Sequence, residues 1–224
     1  MYKLLSYPIS KQATAWPGAK LIQTVQTRHV GEGSEWNEWE YVLPNHLGSH
    51  YDAPNHHFDG GMKIADLPLE QFIFEKPFIL DVPKGFNEKI TRSDLVPHEE
   101  RIKRCDALLL RSGFSKYYND PEIYGKKGPA VGSDAAEYLN KTFPKLKAIL
   151  LDFISLNTYT DVQDGVIAHK WLLGEWTDNY ICIVEDMTME GVENDTLEKI
   201  IALPLFIKEI DSAQVTILAF VKDV

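Results

Sequence analysis

Four of the chain's seven histidines fall in one stretch, H-L-G-S-H-Y-D-A-P-N-H-H, which runs from His46 to His57. His46, His50 and Asp52 supply two imidazoles and a carboxylate, nitrogen and oxygen donors that zinc or manganese accepts. Side chains alternate along an extended chain, so the even-numbered His46, His50, Asp52 and His56 share a face, and His57 points elsewhere. A straight strand would place His46 and Asp52 roughly 20 Å apart, too far for both to sit about 2 Å from one ion. The segment is therefore expected to curl. Gly48 reaches backbone angles closed to other residues, and Pro54 removes a ladder donor. The expectation is a short strand, bent at Gly48, that delivers its ligands into a cleft and stops at Ala53-Pro54. A solvated loop or a satisfied core position accounts for any one histidine. Packing gives no reason for four imidazoles beside an aspartate.

The elements that must position this stretch read as mixed α/β. Apolar runs at residues 78–82, 107–110, 148–153, 180–184 and 215–221 predict strands. Ser133 is placed as an N-cap, with Asp134 in the first turn, Ala135, Leu139 and Phe143 at four-residue steps, and Pro144 at the exit; this predicts a helix. A second helix is predicted over residues 166–173 before Gly174, and a third over residues 196–202 before Pro204. No internal repeat, low-complexity tract or linker divides the sequence, so residues 1–224 read as one domain.

Hydrophobic residues at 44% and charged residues at 25% are ordinary for a soluble globular chain. No 18-residue apolar run and no cationic leader appears, which points to a cytoplasmic protein without a membrane partner. The net charge of −10, with Arg101, Lys103 and Arg104 as the only dense basic cluster, argues against nucleic acid. Cys105 and Cys182 lie in apolar, strand-like surroundings and read as buried reduced thiols.

Two further residues bear on the metal. His169 shares a helical face with Leu172 and Leu173, for which a core histidine is the ordinary account. Glu185, however, follows Tyr-Ile-Cys-Ile-Val, and a carboxylate closing a buried strand is costly unless a cation compensates it. A metal ion would do so. Asp186, Glu190 and Glu193 read as solvated. Asp152, after Ile149-Leu-Leu, is a hydrogen-bonding candidate near the site.

The string H-x-G-S-H-x-D-x-P-x-H from His46 to His56 resembles the metal signature of the cyclase family of metal-dependent hydrolases, whose best-known members are the bacterial kynurenine formamidases (arylformamidases). Threonine is more usual there at the position of Ser49. Ser6-Tyr-Pro-Ile and Trp16-Pro-Gly resemble the family's opening segment, Leu110-Arg-Ser-Gly its arginine-containing strand, and Gly128-Pro with the helix from Ser133 its later core. The resemblance implies a swivelling β/β/α fold, with a mixed sheet core and flanking helices, a homodimer, and two divalent ions, zinc or manganese. It implies that His46, His50 and Asp52 hold one ion, that Asp52 bridges, that His169 and Glu185 hold the second, and that His56 is the general acid/base. The gap from His169 to Glu185 is longer than is usual in the family, as though residues 174–179 included an inserted turn, and Glu175 competes for the role. The strand before Glu185 and the Asp186-Met beyond it favour Glu185.

The implied chemistry is hydrolysis of a C–N bond. A bound dication lowers the pKa of water from about 15.7 towards about 7, a second ion steadies the oxyanion, and His56 passes a proton to the departing nitrogen. The resemblance implies a small-molecule amide, N-formylkynurenine, cleaved to kynurenine and formate in tryptophan catabolism. Trp16 in its Pro-Gly loop could stack on the aryl ring. Two other readings stay open: hydrolysis of another cyclic or N-acyl amide, as by the isatin hydrolases, and a non-catalytic metal-binding protein that kept the fold.

Overall fold

Among the residues described by the computed structural model, 1–222, nine strands build one mixed sheet. In chain order they are β1 (Tyr2–Leu4), β2 (His50–Asp52), β3 (Ile73–Phe74), β4 (Pro77–Asp81), β5 (Ala107–Arg111), β6 (Ala148–Leu151), β7 (Cys182–Glu185), β8 (Leu197–Pro204) and β9 (Ser212–Val221). They lie side by side as β3-β8-β9-β2-β7-β6-β5-β4, and β1 pairs with β9. One half, β4 to β7, is parallel, and the other half is antiparallel. The sheet is nearly closed. Asn194, just ahead of β8, bonds both backbone groups of Ile79 in β4 at 2.8 Å, so its two ends meet.

The parallel strands are buried on both faces, as continuous Ile, Leu and Val runs require. Leu108, Leu110, Ile149, Leu151 and Ile183 face an outer core built with the helices α1 (Ser133–Thr142) and α2 (Val162–Leu172), through Ala135, Leu139, Ala168 and Leu172. The alternate residues, Leu109, Leu150 and Val184, face the interior, where they meet Tyr51, Phe72, Phe74, Ile200 and Ile217. The predicted strands and the first two helices correspond to observed elements. Asp161 caps α2 by accepting from Asp164 N at 3.3 Å, so this helix starts earlier than expected.

The third predicted helix does not form. From Leu197 onward its residues belong to β8, where buried Ile200, Ala202 and Pro204 alternate with more exposed neighbours and the strand pairs with β9 along its length. The period is two, and long-range pairing overrides the helix-forming residues. A hairpin of Gln23–Arg28 with Glu38–Val42 stands apart from the sheet and exposes Val25, Trp39, Tyr41 and Val42. Cys105 and Cys182 are free and buried. Among the described residues, no helix is long and apolar enough to cross a membrane.

Gly48 bends the chain before β2 as the sequence predicts. Its φ is +71°, and a Cβ there would meet Ile9 Cγ1 at 3.3 Å. Gly48→Ala is expected to cost about 1–2 kcal/mol through the left-handed backbone. For a chain of this size that is roughly 2–8 °C in Tm, measurable by calorimetry.

Candidate metal centre

β2 is the seam of the sheet, antiparallel to β7 on one side and to β9 on the other. Its register sets His50 opposite Glu185, so the strand that carries the metal-like motif is paired with the strand that ends in the buried carboxylate. Cross-strand neighbours sit about 5 Å apart at Cβ, and these two side chains meet. The bend at Gly48 returns His46 to within 5.0 Å of the His50 ring. After Ala53 a 3-10 turn, Pro54–His56, brings His56 to 4.3 Å from the His46 ring. His169 arrives from α2, with its Nε2 at 3.8 Å from Glu185 Oε1.

Asp52 lies at the centre and is fully buried. Its Oδ1 is 3.2 Å from His46 Nδ1 and 3.6 Å from His50 Nε2, and His50 Nε2 is 3.2 Å from Glu185 Oε2. His46, His50, Asp52, His56, His169 and Glu185 therefore converge, and all but Asp52 line a cavity of about 410 Å³. Trp16 lines the same cavity, edge-on to Tyr159 at 6.0 Å. Glu175 lies elsewhere: it pairs with Lys170 at 2.9 Å and faces a different cavity, beside Trp176 and Thr177. Asp152 is also outside the cluster. Its carboxylate accepts from Ser112 N, Ser112 Oγ and Gly113 N at 2.8, 2.6 and 2.8 Å, and so fixes the Leu110-Arg-Ser-Gly segment.

The residues fit a divalent cation. His50 Nε2 and both carboxylate oxygens of Asp52 are buried without hydrogen-bond partners, an expensive arrangement unless a cation satisfies their lone pairs. Two groupings bring their donor atoms within 4.8 Å of one another, His46 with Asp52 and His56, and His50 with Asp52 and Glu185; Asp52 is common to both. The imidazoles are also aimed. His50 Nδ1 is 2.8 Å from the carbonyl of Gly48, and His169 Nδ1 is 2.8 Å from that of Gly165. Each such bond fixes the ring and leaves Nε2 for a ligand role, as the outer partners of metal-bound histidines do. Burial would raise the Asp52 carboxyl, but the facing imidazoles of His50, His56 and His46 hold it well below the usual range. Burial also works against charge on His46, yet its contacts with Asp211 and Asp52 raise it to about 10.

Residues 4–158 match the Cyclase family, described as "Putative cyclase". The chain belongs to this family. It is 27% identical over 212 residues to the kynurenine formamidase of Bacillus thuringiensis subsp. konkukian, covering 94% of this chain and 93% of that protein. Its fold matches isatin hydrolase A from Labrenzia aggregata with a TM-score of 0.83 at 16% identity, over 100% of this chain and 94% of the other. A protein titled a potential metal-dependent hydrolase with cyclase activity matches with a TM-score of 0.74 at 21% identity, over 100% and 99%.

In this cyclase-family chain three residues depart from the sequence-based reading. Asp186 is buried at 1% exposure. It turns the chain out of β7 at φ +59°, accepts from Tyr124 Oη at 2.8 Å, and is pushed up by burial to about 7. Its place after a buried strand was the available signal. His57 does not point elsewhere, because the 3-10 turn breaks the alternation of the strand and stacks its ring on His169 at 4.4 Å; burial and the neighbouring His169 and His56 lower it to about 3. Asp211, absent from the sequence-based reading, lies just ahead of β9. Its Oδ2 is 2.7 Å from His56 Nδ1 and 3.5 Å from His46 Nε2, while Oδ1 accepts from Asn45 Nδ2 at 3.0 Å. Nothing in the local sequence Glu-Ile-Asp-Ser marks it; only the pairing of β9 with β2 delivers it.

Asp211→Asn disturbs the orientation of two imidazoles together. The expected outcome is zinc affinity lower by about ten- to hundredfold in a chelator competition titration, with the far-ultraviolet circular dichroism unchanged. An affinity within about twofold of the native value would show that Asp211 does not orient the site.

Proposed function

We propose that the chain hydrolyses the C–N bond of a small aryl amide, with an N-formylkynurenine-like aryl formamide as the leading substrate. His46, His50 and Asp52 would hold one divalent ion, zinc or manganese; Asp52, His169 and Glu185 would hold a second. The observation that carries the reading is Asp52, buried with both oxygens lacking a hydrogen-bond partner beside a cavity whose wall holds His56 with Nδ1 already engaged. Kynurenine formamidases and isatin hydrolases, to which the chain is similar, share cleavage of an amide C–N bond.

Bound divalent ions activate water and polarise a carbonyl. The rest falls to side chains. As a C–O bond forms and the C–N bond breaks, the departing amine needs a proton, and His56 would give it through Nε2, a role supported by the hold of Asp211 on Nδ1. Trp16 lines the cavity and would pack against an aryl ring. Lys20, the one lysine or arginine lining the cavity among the described residues, suits the carboxylate of an amino-acid tail. A volume of about 410 Å³ falls within the range of small-molecule sites, about 300–1,000 Å³. The homodimer is part of the proposal: an isolated two-stranded hairpin is marginal in water, and the exposed Trp39, Tyr41 and Val42 would gain cover from a second copy. A cyclic aryl amide is the second reading, supported by the full-length likeness to an isatin hydrolase.

Purified protein is expected to turn over N-formyl-L-kynurenine, followed by absorbance, to lose that activity on chelation and to regain it with zinc or manganese. Turnover of isatin alone would replace the leading substrate with the cyclic one; no turnover of either, with metal bound, would remove the hydrolase reading. His56→Ala should lower kcat by about 10²–10⁴ while metal content stays near native. Loss of metal in that variant would make His56 a ligand.

A further inference from the structure

A third grouping of donors overlaps the proposed machinery at His56 and His169 and adds His57, which the proposed reaction does not use. His56, His57 and His169 each offer a ring nitrogen, and these atoms lie within 4.8 Å of one another. The rings pack closely, with centroids 4.5 Å apart for His56 and His57, 4.4 Å for His57 and His169, and 5.5 Å for His56 and His169. Nδ1 of His56 is engaged by Asp211, and Nδ1 of His169 by the carbonyl of Gly165, which leaves Nε2 of each. The His57 side chain makes no hydrogen bond among the described residues, although the residue is half-buried. We infer that His56, His57 and His169 form a further cation site, selective for zinc-like ions, which draws His56 away from proton transfer when filled.

The chemistry of the donors sets the selectivity. Imidazole suits zinc, copper and nickel, whereas manganese and magnesium call for oxygen ligands. This grouping has no carboxylate, unlike the grouping of His50 with Asp52 and Glu185. Zinc about 2.0–2.1 Å from each nitrogen would hold them about 3.4 Å apart, so the rings close in by small rotations on binding. His169 has only Nε2 to give, and that atom also faces Glu185 at 3.8 Å. An ion among the three histidines and an ion beside Glu185 therefore compete for one nitrogen. The consequence is inhibition by excess zinc, and none by excess manganese. That consequence rests on the role proposed for His56; the binding itself does not.

The test uses zinc alone as the probe, on the native protein and on His57→Phe, which keeps an aromatic ring against His169 and removes the donor. His57→Gln serves as a second variant if the first fails to fold. Crystals soaked in zinc are examined by anomalous diffraction at the zinc edge, and hydrolysis is titrated with zinc and with manganese. The expected result is an anomalous peak among the three rings that is lost in the variant. Zinc inhibition should weaken at least about tenfold in the variant, since one ligand in three is gone, while activity at low metal is retained. No peak among the rings at saturating zinc would overturn the site, and undiminished inhibition in a folded variant would overturn its effect. If the protein hydrolyses no amide, the diffraction result still decides the binding, so failure of the hydrolase reading is seen separately.

Discussion

A carboxylate without hydrogen-bond donors, sealed from water, is among the most expensive groups a protein can place in its interior. Asp52 is such a group, and much of the architecture answers to it. Its neighbours are imidazoles rather than arginines or lysines, so the compensation they offer is partial and leaves lone pairs turned inward. A bidentate arginine would have neutralised the carboxylate and closed the site. The arrangement in place keeps a concentration of electron pairs that a small divalent ion can use.

The strand bearing Asp52 could not sit elsewhere in the sheet and do this. It lies where the parallel half meets the antiparallel half, and so it has partners from two different parts of the chain. β7 contributes Glu185 and, just past it, Asp186; the approach to β9 contributes Asp211. The parallel half is packed under helices, while the near closure of the sheet through Asn194 ties the antiparallel half to it. His56 and Asp211, 155 residues apart, are in this way brought together at the end of the ladder between β2 and β9.

What the sequence disclosed and what it withheld divide along the same line. The motif from His46 to His56 could be read, including the bend at Gly48, because its ligands and its backbone constraints are neighbours in the chain. The buried strands were visible as apolar runs. His57 was misread because strand alternation was carried one residue into a turn, and Asp186 because a carboxylate after a buried strand was assumed to reach water. β8 was misread because Leu-Glu-Lys-Ile carries helix-forming residues whose fate is decided by pairing with β9. Asp211 has no local signature at all. Its importance exists only once β9 is laid beside β2, and that is a property of topology.

The anchors of His50 and His169 are backbone carbonyls, not side chains: each ring is tied to a glycine of its own segment, two residues back in one case and four in the other. Orientation is thus written into the local chain path, through main-chain atoms that a side-chain substitution does not remove. Trp16 and Lys20 line the same cavity and make no hydrogen bond to either imidazole. A scaffold built this way separates the aim of the two imidazoles from the other side chains of the cavity wall, and proteins named for different substrates, a kynurenine formamidase and an isatin hydrolase, are similar to the chain over nearly its full length.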